Sequence, residues 1–203
     1  MLEIVVATKN KKKLQEIKEI LKGFNLKLSS LKNYSKVPRI IENGKNFKEN
    51  AVKKAVKIAR FSNKVALGED SGLCIDALNG APGIYSARFS GRDKNDERNN
   101  QKVLRLLCDV PLNKRKAHYI CAVALADKHG LVVVVEGRCD GLIGFEPKGT
   151  RGFGYDPLFI IPKYKKTFAQ LGEKIKHRIS HRYYALIKAK KIILKYIEKS
   201  NVC

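Results

Sequence analysis

Two adjacent carboxylates, Glu69 and Asp70, follow Gly68 at the end of the short apolar run Val65-Ala66-Leu67, and a glycine- and proline-punctuated stretch continues over residues 71–91. A strand at 65–68 would deliver the acids to a sheet edge, and the stretch behind them could close over a ligand. Successive strand side chains point to opposite faces, so only one of the two acids can look straight into a given cleft. Asp70, just before a Ser71-Gly72 turn, is the better placed, and a carboxylate there is a candidate for proton transfer. An Asp-Ser-Gly can equally be only a turn or a helix cap.

Three further segments keep it company. Thr8, Asn10 and Lys13 place a hydroxyl, an amide and a cation between an apolar run and a helical pattern, where backbone N–H groups and the positive end of a helix suit phosphate oxygens. Asn10 can equally be an N-cap, and the segment lacks the glycines of a Walker loop. Lys176, Ser180, His181 and Arg182 crowd donors near the start of the last helix, where cations are unfavourable unless something anionic faces them. A ligand is one candidate for that role. The run 152–157, Gly152-Phe153-Gly154-Tyr155-Asp156-Pro157, joins flexible backbone, aromatic faces and a carboxylate. It could stack a planar ring and bond its edge, or be a turn with its aromatics in the core. Taken together, the segments supply a phosphate end, an acidic centre and a base-recognition end, which is the inventory of a nucleotide site.

The elements that must position them alternate. Residues 2–7 read as a buried strand, followed by Leu14, Ile17, Ile20 and Leu21 at helical spacing up to Gly23. A short strand is expected at 26–31, and a helix with Phe47, Ala51, Ala55, Ile58 and Ala59 on one face precedes the strand at 65–68. Residues 93–108 read as a helix with Val103, Leu104 and Leu107 inward. Strands at 119–126 and 131–136 flank a Lys128-His129-Gly130 hairpin connection. A last helix is expected over 180–199, with Leu186, Ile187, Ile193, Leu194 and Ile197 inward. The mixture predicts an α/β protein with a mixed sheet, and neither repeats nor linkers divide the chain.

At 203 residues and 44% apolar composition, the chain can bury a sizeable core. It has no apolar run of membrane-spanning length, and its first residues do not read as a signal peptide, so a cytoplasmic protein is expected. Five cysteines, odd in number and without C-x-x-C spacing, imply neither zinc nor a disulfide framework. They read as small buried hydrophobes, apart from Cys203. With 42 Lys and Arg against 19 Asp and Glu, the net charge of +23 favours polyanions, but the lysines are spread along the chain without interleaved exposed aromatics.

In order, T-x-N-x-x-K at 8–13, F-x-E-N-A-x-x-K-A at 47–55, E-D-S-G at 69–72, G-A-P-G-I-Y-S-A-R at 80–88, G-F-G-Y-D-P at 152–157 and S-H-R at 180–182 cover essentially the whole chain. This pattern resembles the Ham1/RdgB-type inosine triphosphate pyrophosphatases, which hydrolyse purine nucleoside triphosphates with non-standard bases. The resemblance implies one pyrophosphatase domain over 1–203. It implies an elongated, two-lobed α/β fold with a central mixed twisted sheet flanked by helices and a cleft between the lobes, a magnesium requirement and a homodimer. The substrates would be ITP, dITP and XTP, cleaved to the monophosphate and pyrophosphate. Asp70 would hold Mg2+ and serve as base. Thr8, Asn10, Lys13, Lys54 and Ser71 would serve the triphosphate. Phe153 would stack on the purine, with Gly154, Tyr155, Asp156, Lys176, His181 and Arg182 completing recognition.

Two positions depart from the family. The first Glu of its E-x-x-G segment is Ile41 here, in Ile41-Glu42-Asn43-Gly44, and Glu42, one position on, is expected to supply the missing metal-site carboxylate, with a solvated surface role as the alternative. Gln170 stands where the family commonly has Glu. Rival readings are a Maf-like nucleotide pyrophosphatase, which shares broad architecture but not these motifs, and a basic nucleic-acid-binding protein. An acid between the basic segments favours hydrolysis, and no specific nucleic acid or membrane partner is expected.

Overall fold

A computed structural model describes residues 2–200, with side chains described through Tyr196, so the placements of Ile197 and Cys203 lie outside the described residues. Seven strands and six α-helices follow one another as β1 (Leu2–Val6), α1 (Lys11–Ile20), β2 (Leu26–Ser30), α2 (Phe47–Ser62), β3 (Val65–Ile75), α3 (Asp96–Leu106), β4 (Lys116–Asp127), β5 (Gly130–Ile143), β6 (Phe159–Ile161), β7 (Lys166–Thr167), α4 (Phe168–Leu171), α5 (Glu173–Ile179) and α6 (His181–Ser200). The sheet runs in the order β2-β1-β3-β4-β5-β6-β7. It is mixed: β1 pairs in parallel with β2 and β3, while β5–β6 and β6–β7 are antiparallel.

The chain divides into two compact units. The first takes the described parts of Met1–Asp70, Cys121–Gly137 and Arg182–Cys203, and the second takes Ser71–Ile120 and Arg138–His181. In the first, Ile4, Val6, Ile17, Leu67, Val123, Leu186 and Ile193 belong to one buried core. In the second, Leu73, Ile75, Val103, Leu107, Tyr119, Phe159 and Phe168 do the same. The buried faces of α1 and α2 are the ones their helical spacing predicts.

Four expectations change. β3 does not turn at Ser71-Gly72 but continues to Ile75, because the residues beyond that pair, Leu73, Cys74 and Ile75, are themselves buried strand residues. Being third of seven, it is an interior strand and not a sheet edge. Helix α3 begins at Asp96, not 93, because Asn95 caps it by accepting from Arg98 N, while Asp93 pairs with the Arg98 guanidinium. Leu194 is 43% exposed: Leu186, Ala189 and Ile193 form the inward stripe of α6, and the next residue lies about 100° round the helix. Cys108, just past α3, is exposed beside Asp109, whereas Cys74, Cys121 and Cys139 are buried.

One glycine is indispensable to the site. A Cβ on Gly68 would lie 2.1 Å from Ala51 O and 2.6 Å from Ala55 N, so β3 and α2 touch backbone to backbone. With Ala51 and Ala55 the smallest helix side chains, that close approach brings the preceding residues, Asn50 and Lys54, within reach of Asp70.

Candidate active site

Glu69 and Asp70 leave β3 on opposite faces, as consecutive strand residues must, and each meets different partners. Glu69 is buried. Lys13 Nζ lies 2.9 Å from its Oε2, and its Oε1 accepts from Arg182 Nη2 at 3.0 Å and from Cys121 Sγ at 3.3 Å. Arg182 gives its Nη1 to Glu16 of α1, so the guanidinium is clasped between two carboxylates. On the other face, Asp70 Oδ2 accepts from Asn50 Nδ2 at 3.1 Å and Oδ1 pairs with Lys54 Nζ at 2.9 Å. Lys54 also donates to Glu69 O at 3.0 Å and pairs with Glu42 at 2.7 Å. Asn50 Oδ1 accepts from Gly44 N at 2.8 Å, which fixes the amide so that its NH2 group faces Asp70.

The two acids titrate in opposite directions. Burial alone would raise both. At Glu69 the charges of Lys13, Arg182 and Lys54 overcome it and hold the carboxyl well below the usual range. At Asp70 burial prevails over Lys54 and Lys13, and the neighbouring Glu69 charge adds to it, so the carboxyl is raised. Lys54 is pushed up despite its burial, by Asp70 and Glu42, and stays charged. Burial and the Glu69 charge drive the Cys121 thiol well up, so it remains protonated and inert.

Glu42 and Asp70 converge on one ammonium, and Glu42 keeps 44% of its side chain exposed. Among the described residues no cluster of three or more His, Cys, Asp or Glu side chains forms a metal cage. One or two carboxylates, with phosphate oxygens and water supplying the rest, is the donor set that magnesium prefers, so the residues fit it.

The remaining expected residues fall as follows. Asn10 is the N-cap of α1, its Oδ1 accepting from Lys12 N at 3.0 Å and Lys13 N at 3.2 Å, and Thr8 Oγ1 accepts from Asn10 N at 3.1 Å. Asn10 thus starts the helix that carries Lys13 and Glu16. Ser71 is half-buried on β3. At the start of α6 the protein itself sets the anions Glu16 and Glu69 against Arg182.

In the second unit, the 152–157 run folds around Asp156. Asp156 Oδ2 accepts from Phe153 N at 2.9 Å and pairs with Lys176 Nζ at 2.6 Å, both side chains buried. A Cβ on Gly152, whose φ is +82°, would sit 2.1 Å from Asp156 Oδ2, so glycine is required for that turn. Lys176 Nζ is 4.6 Å from the Phe153 ring centroid. Tyr155 is buried and donates through its hydroxyl to Ser86 O at 2.8 Å. His181 stacks on Tyr119 at 4.5 Å with the rings 9° from parallel. Lys176, Phe153 and Asp156 thus lie together, and the side chains of Tyr155 and Asp156 hold the loop's shape. Gln170 is peripheral, closing a capping box with Thr167.

Asn50, Glu16 and Cys121 were not anticipated. Asn50 carried a signal, since it lies four residues before Lys54 and so on the same helix face.

A model of the Ham1 family matches residues 4–192. The chain is 49% identical over 188 residues to a dITP/XTP pyrophosphatase of Halalkalibacterium halodurans, covering 92% of this chain and 96% of that one. It is 46% identical over 192 residues to a dITP/XTP pyrophosphatase of Desulforamulus reducens, covering 95% and 96%. Its fold superposes on the structure of a HAM1 protein from Coxiella burnetii with a TM-score of 0.87 at 39% identity, covering 96% of this chain and all of that one. With the family match spanning nearly the whole chain, and the fold, the paired acids of β3 and the aromatic loop all in place, the chain belongs to the Ham1 family.

Proposed function

We propose that this chain is a hydrolase that cleaves the α–β anhydride bond of ITP, dITP and XTP, releasing the nucleoside monophosphate and pyrophosphate and so clearing non-standard purines from the nucleotide pool. The observation that carries the reading is the Asp70 carboxylate, raised by burial yet oriented by Asn50 and Lys54, in a Ham1 chain related to dITP/XTP pyrophosphatases.

Asp70 orients a water and takes its proton as the oxygen adds to phosphorus; the bridging P–O bond breaks and pyrophosphate leaves. Lys54 keeps the carboxylate aimed and places fixed positive charge beside the reacting phosphates, as does Lys13 from the start of α1. Asp70 and Glu42 are the residues that would hold Mg2+, whose charge offsets the phosphates and polarises their oxygens. Phe153 offers a ring face for the purine. Lys176 is a donor-only group suited to a 6-keto oxygen, whereas the 6-amino group of adenine would set donor against donor. The reading extends to a cytoplasmic homodimer, supported by the family resemblance.

The test is a panel of ITP, dITP, XTP, GTP and ATP with magnesium, with pyrophosphate and orthophosphate measured separately. Pyrophosphate from the inosine and xanthosine nucleotides is expected, with ATP turned over far more slowly at low concentration. Orthophosphate appearing first, or ATP cleaved as fast as ITP, overturns it. Gel filtration reads the dimer directly.

A further inference from the structure

The stacking ring is held by a helix far from it in sequence. Gly154, at φ +63°, has both sides of its backbone gripped by α3: its N–H donates to Asp96 Oδ2 at 2.8 Å, and its carbonyl accepts from Asn100 Nδ2 at 3.0 Å. Asp96 and Asn100 are four residues apart and so share one face of the helix. The N–H of Phe153 is held by Asp156, so the peptide links on both sides of Phe153 are bonded, one from within the loop and one from α3, and together they set the direction of its Cα–Cβ bond. α3 is a firm support. Val103 and Leu107 are fully buried, and the buried guanidinium of Arg115 donates to the carbonyls of Leu107, Val110 and Gly144, tying the end of the helix to the end of β5.

We propose that Asp96 and Asn100 are positioning residues that aim Phe153 at the purine ring and so set substrate affinity and base discrimination, leaving the chemical step to Asp70. The proposal rests on the pyrophosphatase reading for its kinetic consequence, but the clamp itself can be read without any substrate.

Asp96→Ala removes the acceptor for Gly154 N–H while Asn95 still caps the helix, so a folded enzyme is expected. Misaiming a binding group by about an ångström costs up to ~10²-fold, so KM for ITP should rise about ten- to a hundredfold, with kcat changed by no more than about threefold. Asp96→Asn, which retains an acceptor oxygen, should restore KM to near the wild-type value. In a Phe153→Ala background Asp96→Ala should add nothing, because the group it positions has gone. Hydrogen exchange of the Gly154 amide, followed by NMR on the full chain without nucleotide, should speed up in Asp96→Ala. An unchanged exchange rate refutes the clamp even if no nucleotide proves to be a substrate. With an active wild type, an unchanged KM, an effect confined to kcat, or additivity with Phe153→Ala refutes the positioning role. Inactivity of the wild type on every nucleotide counts against the pyrophosphatase reading and leaves the clamp to the exchange measurement.

Discussion

Replacing Asp70 by Asn separates the chemistry of this site from its architecture. The carboxylate sits between two donors, Asn50 Nδ2 at 3.1 Å and Lys54 Nζ at 2.9 Å. An amide can offer its oxygen to only one of them, so its NH2 group confronts the other. Asn50 cannot flip to compensate without giving up Gly44 N. That mismatch costs about 1–3 kcal/mol. Against it stands the linkage effect: the folded-state pKa of Asp70 is raised, so the folded chain binds that proton more tightly than the unfolded one, and the ionised carboxylate already weakens the fold at neutral pH. Stability from this group is full below its unfolded pKa and is lost as pH rises through the folded value. The neutral amide escapes the penalty, and the two effects partly cancel. At roughly 2–4 °C per kcal/mol for a chain of this size, Tm should fall by less than about 10 °C. Turnover should fall much further. Loss of a positioned base and a metal-site charge predicts a drop of about 10²–10⁴ in kcat, or about 2.7–5.5 kcal/mol of barrier. Pyrophosphate release at saturating ITP and magnesium, alongside a melting curve, measures both. A folded Asp70→Asn enzyme with kcat within tenfold of wild type would refute the reasoning.

Glu42→Gln should raise the magnesium concentration needed for half-maximal activity several-fold; an unchanged titration curve would leave Glu42 as a partner of Lys54 alone. Gly68→Ala should lower Tm by several degrees and reduce activity with it, since overpacking of about 1–3 kcal/mol would force α2 away from β3 and carry Lys54 and Asn50 off Asp70; a Tm within 1 °C or so of wild type would contradict the close contact. Any nucleic acid bound by the +23 chain should be weakly held, with log affinity falling linearly in log salt and little preference between sequences, so tight selective binding at physiological salt would point to a different function.

The alternation of elements and the inward helix faces were legible because they rest on periodicity within ten or twenty residues, as with Ala51, Ala55 and Ile58 on α2. The acids were legible too, since adjacency in a strand dictates opposite faces. What local sequence could not carry was partnership at a distance. Arg182 stands 113 residues from Glu69, and 166 from Glu16, and its position at a helix start signals neither partner. Asp96 and Gly154 are 58 residues apart, and nothing in either segment signals the other. The Ser71-Gly72 turn failed for a related reason: turn chemistry is a local preference, and an interior strand with buried residues on both sides overrides it.

The two acids of β3 divide the labour by their surroundings. Around Glu69, the cations Lys13, Arg182 and Lys54 outweigh burial, so the carboxyl stays ionised at any working pH. Its chemistry is spent on holding α1 and the start of α6 in register with β3. Around Asp70, the ammonium of Lys54 is shared with the half-exposed Glu42, and burial outweighs the nearby cations, so the carboxyl is raised. Pairs of titratable groups whose environments push them apart mark out acid and base roles, and here the separation is achieved between neighbouring residues by the pleat of one strand. An acid held as low as Glu69 would be too weak a base for the proton transfer proposed for Asp70. On the proposed mechanism, the sequence Glu69-Asp70 assigns the first carboxylate to the scaffold and the second to the chemistry.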